Sequence, residues 1–144
     1  MALENFHSTW TPRILGVLRI ITGFLFTAHG TQKLFNFPAS PNGPAELMSF
    51  MGAAGLLETA GGLLIMFGLF TRVTAFTLSG MMAVAYFIAH APAGFLPIVN
   101  KGELAVLYSF VFLYMAVAGG GSFSLDGLQR RRSAVVPAAV VETA

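Results

Sequence analysis

Long apolar stretches separated by short polar breaks organise the chain: Ile14–Phe35, Leu47–Phe70, Val73–Ala91 and Leu104–Ala118, of 22, 24, 19 and 15 residues. About 20 helical residues cross a hydrocarbon core roughly 30 Å thick. The pattern therefore predicts an all-α fold, a transmembrane four-helix bundle. The short fourth span takes Lys101–Glu103 and Gly119–Gly121 at its interfaces, with local bilayer thinning absorbing the rest. Residues 12–127 form the membrane domain, 1–11 a cytoplasmic N-terminal segment, and 128–144 a basic and then Ala/Val-rich tail whose end, from Ser133, is read as mobile.

Punctuation refines the ends. Thr11 is placed to cap the first span, with Pro12 at its first helical position, where a missing N–H costs nothing. The run Asn36–Pro44 is too rich in Pro and Gly to continue a helix, and Pro92–Pro97 makes a second loop on the same side. Gly68–Arg72 is a tight turn on the other. All six arginines (Arg13, Arg19, Arg72, Arg130, Arg131 and Arg132) fall toward one side, and Lys33 and Lys101 toward the other. The positive-inside rule then puts both termini in the cytoplasm.

Composition agrees: 56% hydrophobic residues, 10% charged and a mean hydropathy of +0.75 depart far from a soluble domain with about 25% charged residues. The net charge of +2 comes from dispersed basic residues that topology explains, so no nucleic-acid partner is expected. The absence of cysteine excludes thiol redox chemistry and thiolate metal sites in this chain. Any redox role must run through a bound group or a partner.

The ionisable residues inside the spans carry the remaining information. At 100° per residue Arg19, Thr22, Phe26, His29 and Lys33 share one stripe of the first span; Arg72, Ser79, Tyr86 and His90 share one in the third, and Glu103, Leu107 and Tyr114 one in the fourth. Charged groups near a span's centre cost about 2–3 kcal/mol or more against lipid, so the stripes should face protein. Glu58, about 16 Å down a helix opened by Leu47, is expected to pair with Arg19. His29, Gln32, Lys33, Glu46, His90 and Glu103 are expected to converge at the outer level, where imidazoles and carboxylates can exchange protons with a bound carbonyl or hydroxyl compound. No metal site is expected, since the histidines stand on separate helices without a ligand motif. Small residues Gly52 to Gly62 suit close helix packing. Matching Phe26-Thr27-Ala28-His29 and Phe87-Ile88-Ala89-His90, with Glu46-Leu47 and Glu103-Leu104, suggest two pseudo-repeated helical hairpins.

Several motifs in fixed order resemble the DoxX family of small bacterial four-helix membrane proteins. They are His29-Gly30-Thr31-Gln32-Lys33-Leu34, Gly55-Leu56-Leu57-Glu58-Thr59-Ala60-Gly61-Gly62, Gly68-Leu69-Phe70-Thr71-Arg72, Lys101-Gly102-Glu103-Leu104-Ala105 and Ser122-Phe123-Ser124-Leu125-Asp126. The resemblance implies a multi-pass protein of the bacterial cytoplasmic (inner) membrane, related to the membrane subunit of thiosulfate:quinone oxidoreductase. Redox partner subunits, a homo-oligomer and no covalent cofactor are further expectations. The first expectation is a membrane component of a quinone-linked redox or oxidative-stress system, holding a quinone at the outer cluster. A small-solute or proton permease and a non-catalytic scaffold for partner enzymes are the alternatives.

Overall fold

The computed structural model describes residues 2–135, and among these it is wholly helical. Helix α1 runs Ala2–Phe35, α2 Phe50–Phe67, α3 Thr71–Ala85, the short α4 Pro97–Asn100, α5 Glu103–Ala118 and α6 Leu125–Val135. Three helices are long and apolar enough to cross a membrane: Glu4–Phe35, Phe50–Phe67 and Thr71–Ala93; α5 is apolar but shorter.

Two boundaries differ from the sequence reading. The first helix does not begin at Pro12 but passes through it from Ala2. Glu4 in its first turn complements the helix dipole, and Phe6 and Trp10, one turn apart with rings 6.1 Å apart, together with Arg13 over the Trp10 ring, supply side-chain contacts that continue the helix past the proline. At 34 residues α1 is about 51 Å long, well beyond a hydrocarbon core. The second helix starts at Phe50 and not at Leu47, because Ser49 is its N-cap and accepts the Gly52 N–H at 3.0 Å. The tail's first residues, Ser133–Val135, belong to α6; the remainder of the expected mobile tail lies outside the described residues.

The apolar helices pack in pairs, α1 on α2 and α3 on α5. The first pair rests on glycine. A Cβ at Gly23 would stand 2.5 Å from Met66 N, one at Gly30 2.4 Å from Thr59 N, and one at Gly62 2.7 Å from Thr27 N, so the two backbones touch along their length. The second pair is clasped by reciprocal bonds, Ser79 Oγ to the Ser109 carbonyl at 2.8 Å and Ser109 Oγ to the Ser79 carbonyl at 3.1 Å. Between the pairs lie Phe26, Ile65, Leu78, Phe112 and Met115, none more than 2% exposed, with the Phe26 and Phe112 rings edge to face at 4.9 Å. Ile14, Val73, Phe76, Phe110 and Val117 stay 60–72% exposed on the outside, a surface suited to lipid.

After Ala85 the third helix widens into a π turn, Tyr86–His90, and closes as a 3₁₀ turn, Ala91–Ala93. The Ala91 N–H reaches back to the Tyr86 carbonyl, and Pro92, lacking an N–H, cannot restore the α pattern.

Candidate functional site

Glycine contacts fix the register of α1 against α2, and the register decides which ionisable groups meet. Gly30 lies beside Thr59, which sets Glu58 near the Lys33 end of α1, whereas Arg19 stands eleven residues below Gly30, a rise of about 17 Å. The expected Arg19–Glu58 pair therefore does not form. Glu58 pairs through Oε1 with Lys33 Nζ instead. Counting Glu58's depth from Leu47 placed it too far toward Arg19, because the helix begins three residues later.

Arg19, fully buried, binds carbonyls and no carboxylate. Its Nε donates to Gly120 O at 2.8 Å, Nη1 to Ile65 O at 2.6 Å and also to Met66 O, and Nη2 to Phe123 O at 3.0 Å. Ile65 and Met66 belong to the last turn of α2; Ile65 O also accepts the Gly68 N–H at 3.0 Å, and a cation there meets the spare acceptor capacity of these carbonyls and the negative end of the helix dipole. The chain leaves α2 through Gly68 at φ 69°, where a Cβ would lie 2.9 Å from the Arg19 guanidinium carbon. Asp126 completes this end: Oδ1 accepts the Phe70 N–H and Oδ2 the Thr71 N–H, each at 2.8 Å, capping α3 from a distant part of the sequence. Partial burial pushes the Asp126 carboxyl up, but hydrogen bonds from Thr71 and Phe70 and the nearby Arg130 charge outweigh it and hold the carboxyl below its ordinary range.

At the other end of α1 the polar groups line a cavity of about 200 Å³. His29, Lys33, Glu58, His90, Lys101 and Tyr108 border it, with Phe26, Met82, Leu104 and Ala105 as apolar walls. Glu58 is 5% exposed, and its Oε2 is buried without a hydrogen-bond partner. His29 sits edge-on to Tyr108, ring centroids 6.3 Å apart. His90 is oriented from behind: its Nδ1–H donates to the Asn100 carbonyl at 3.1 Å. A carbonyl can only accept, so Nδ1 carries a proton and Nε2 is the ring nitrogen left for another partner. Asn100 is buried and holds the π turn against the following loop, donating to Gly94 O at 2.6 Å and to Tyr86 Oη at 3.3 Å, and accepting from Gly102 N at 2.8 Å.

Of the residues expected at this level, His29, Lys33 and His90 come together, and Glu58 joins them. Gln32 turns to the Asn36–Pro44 loop, its Nε2 donating to Pro38 O at 3.2 Å. Glu46 is exposed beyond the start of α2. Glu103 is exposed on a lateral groove with Pro97, Leu107 and Phe110. The α5 stripe through Glu103, Leu107 and Tyr114 faces outward; the face turned inward carries Ala105, Tyr108, Phe112 and Met115. Tyr108 was masked in the sequence by an apolar helix with no polar periodicity, and Asn100 by a loop whose tertiary contacts no local pattern reveals. Among the described residues no three His, Asp or Glu side chains gather as a metal site would require.

The DoxX family model matches residues 14–91, the stretch that contains Arg19, His29, Lys33, Glu58 and His90. The chain belongs to the DoxX family. A Haemophilus influenzae protein of unassigned function is 43% identical over 122 residues, 81% of this chain and 91% of that protein. The Escherichia coli inner membrane protein YqjF is 31% identical, covering 81% of this chain and 92% of its own. The Bacillus subtilis putative oxidoreductase CatD is 30% identical, covering 76% and 82%. No solved structure matches significantly. This DoxX protein is thus a membrane protein by family, by its apolar helices and by likeness to an inner membrane relative.

Proposed function

We propose that this DoxX protein is a multi-pass inner-membrane four-helix bundle with both termini cytoplasmic, and that the Glu58 cavity binds a quinone-class ring on behalf of a redox partner protein. The observation that carries the reading is the cavity itself. At about 200 Å³ it suits a single six-membered ring, for which an apolar space of ~150 Å³ suffices. Its walls are apolar where a ring face needs them, and its polar groups are few and convergent. A quinone supplies the electron-carrying chemistry; the chain supplies orientation and, through Glu58, His29, His90 and Tyr108, places for protons to come and go. The description of a 30% identical relative as a putative oxidoreductase supports this reading. The permease alternative gains nothing from the interior, because Phe26, Ile65, Phe112 and Met115 fill the space between the cavity and Arg19 and none is more than 1% exposed.

The test is thermal stability of the purified protein with duroquinone, a fully substituted ring that does not add to lysine. A ligand of the folded state raises the melting temperature by mass action. His29→Ala and His90→Ala should reduce that rise, and Glu103→Ala should leave it unchanged because Glu103 lies outside the cavity. No rise at saturating duroquinone, in protein shown to be folded, removes the quinone reading and leaves the membrane bundle.

A further inference from the structure

We infer that the cavity selects the reduced, dihydroxy form of its ring over the oxidised, dicarbonyl form, with Glu58 Oε2 accepting a ring O–H. The inference rests on the reading of the cavity as a ring site, and goes beyond it by assigning which redox form is held.

Glu58 forms an ion pair with Lys33, and a carboxylate in an ion pair only accepts. Lys33 bonds Oε1, while Oε2 is sealed from solvent with no donor on it. His90 also borders the cavity: with Nδ1–H committed to the Asn100 carbonyl, Nε2 is the ring nitrogen left for another partner. The donors on the same walls have another outlet. Lys101 is exposed and the Lys33 side chain is 25% exposed, so solvent meets their remaining N–H groups without a ligand. What Glu58 Oε2 lacks is a hydrogen-bond donor, whereas the Tyr108 O–H on the same walls can serve either ring form, since a phenol oxygen accepts as a carbonyl does. A quinone carbonyl is an acceptor, and set against Oε2 it leaves that oxygen desolvated beside another lone pair. A hydroquinone hydroxyl donates, and its ring fills the same space between Phe26 and Leu104. A ligand that leaves a buried polar group unmet loses roughly tenfold or more in affinity to one that satisfies it.

Calorimetric titration of the purified protein in one detergent, with duroquinone in air and with durohydroquinone held reduced under argon, reads the preference directly. Durohydroquinone is expected to bind at least about tenfold tighter. Glu58→Gln, which keeps the shape but replaces one carboxylate oxygen with an N–H donor, should erase that ratio. Equal affinities, or tighter binding of duroquinone, overturn the inference and leave the ring site standing. A ratio that survives in folded Glu58→Gln overturns the assignment to Glu58. Binding of neither form overturns the ring site itself. If Glu58→Gln does not fold, the wild-type ratio decides alone.

Discussion

The α1–α2 pair carries a cation near each end of its contact, and the two are used in opposite ways. Arg19 is surrounded by backbone carbonyls from two separate parts of the chain, the end of α2 and the loop after α5, and every nitrogen of its guanidinium has an acceptor. Lys33 meets one carboxylate oxygen, and the other oxygen is buried without a partner on a side chain that borders a cavity. The first arrangement closes a helix end, with an acceptor on each guanidinium nitrogen. The second is incomplete in the way a binding site is, since a half-satisfied buried network is costly unless something completes it. Buried charge in a membrane span is by itself ambiguous between architecture and chemistry. What separates the two here is whether the polar atoms are already matched.

The comparison breaks most sharply at Arg19. Arg19→Met keeps the apolar stem and removes all donors, taking the guanidinium from the Met66, Gly120 and Phe123 carbonyls and leaving Ile65 O with the Gly68 N–H alone. The expected loss is on the order of 3–5 kcal/mol, the range for removing one member of a buried charged network, read as unfolding in detergent. Binding at the far cavity should survive in whatever fraction remains folded. A stability near wild type would mean that those carbonyls find other partners and that Arg19 is not the closure of this end.

The next test addresses which groups are coupled. Lys33→Met and Glu58→Gln should be non-additive, by about 1 kcal/mol given the partly exposed lysine, because each removes the same ion pair. Arg19→Met and Glu58→Gln should add within about 0.5 kcal/mol, as expected of residues well separated along antiparallel helices. Strong coupling in the second cycle would restore the Arg19–Glu58 contact that the register excludes.

Periodicity made the α1 stripe legible: Arg19, Thr22 and Phe26 are buried at 0, 5 and 1% exposure on the face that the 100° rule assigned. It failed for α5, where apolar residues surround the helix and Glu103 at its first position pulled the inferred stripe to the wrong side. Local pattern also could not give the register between helices. That depends on backbone contacts at Gly23, Gly30 and Gly62, and a shift of a few residues exchanges one partner of Glu58 for another. Asp126 was visible only as part of a motif; its task, capping α3 from 55 residues away, belongs to tertiary structure.

Asp126 gives the smallest effect and the cleanest control for the comparison, because it lies at the Arg19 end and outside the spans. Its carboxyl sits below the ordinary carboxylate range, so the folded state binds its proton less readily than the unfolded chain does. The stabilisation is therefore fully present above the unfolded value of about 3.9 and is lost as the pH falls through the depressed folded value. Asp126→Asn retains one acceptor oxygen for the Phe70 or Thr71 N–H, gives up the other and no longer titrates. Wild type should exceed the variant by about 1 kcal/mol near neutral pH, the usual worth of a helix cap, and the gap should narrow only below about pH 4. Unfolding measured across that acid range reads the difference directly. A gap that closed between pH 5 and 7 would assign the titration to a histidine and not to Asp126, and the carboxylate cap would then not be what separates the two proteins.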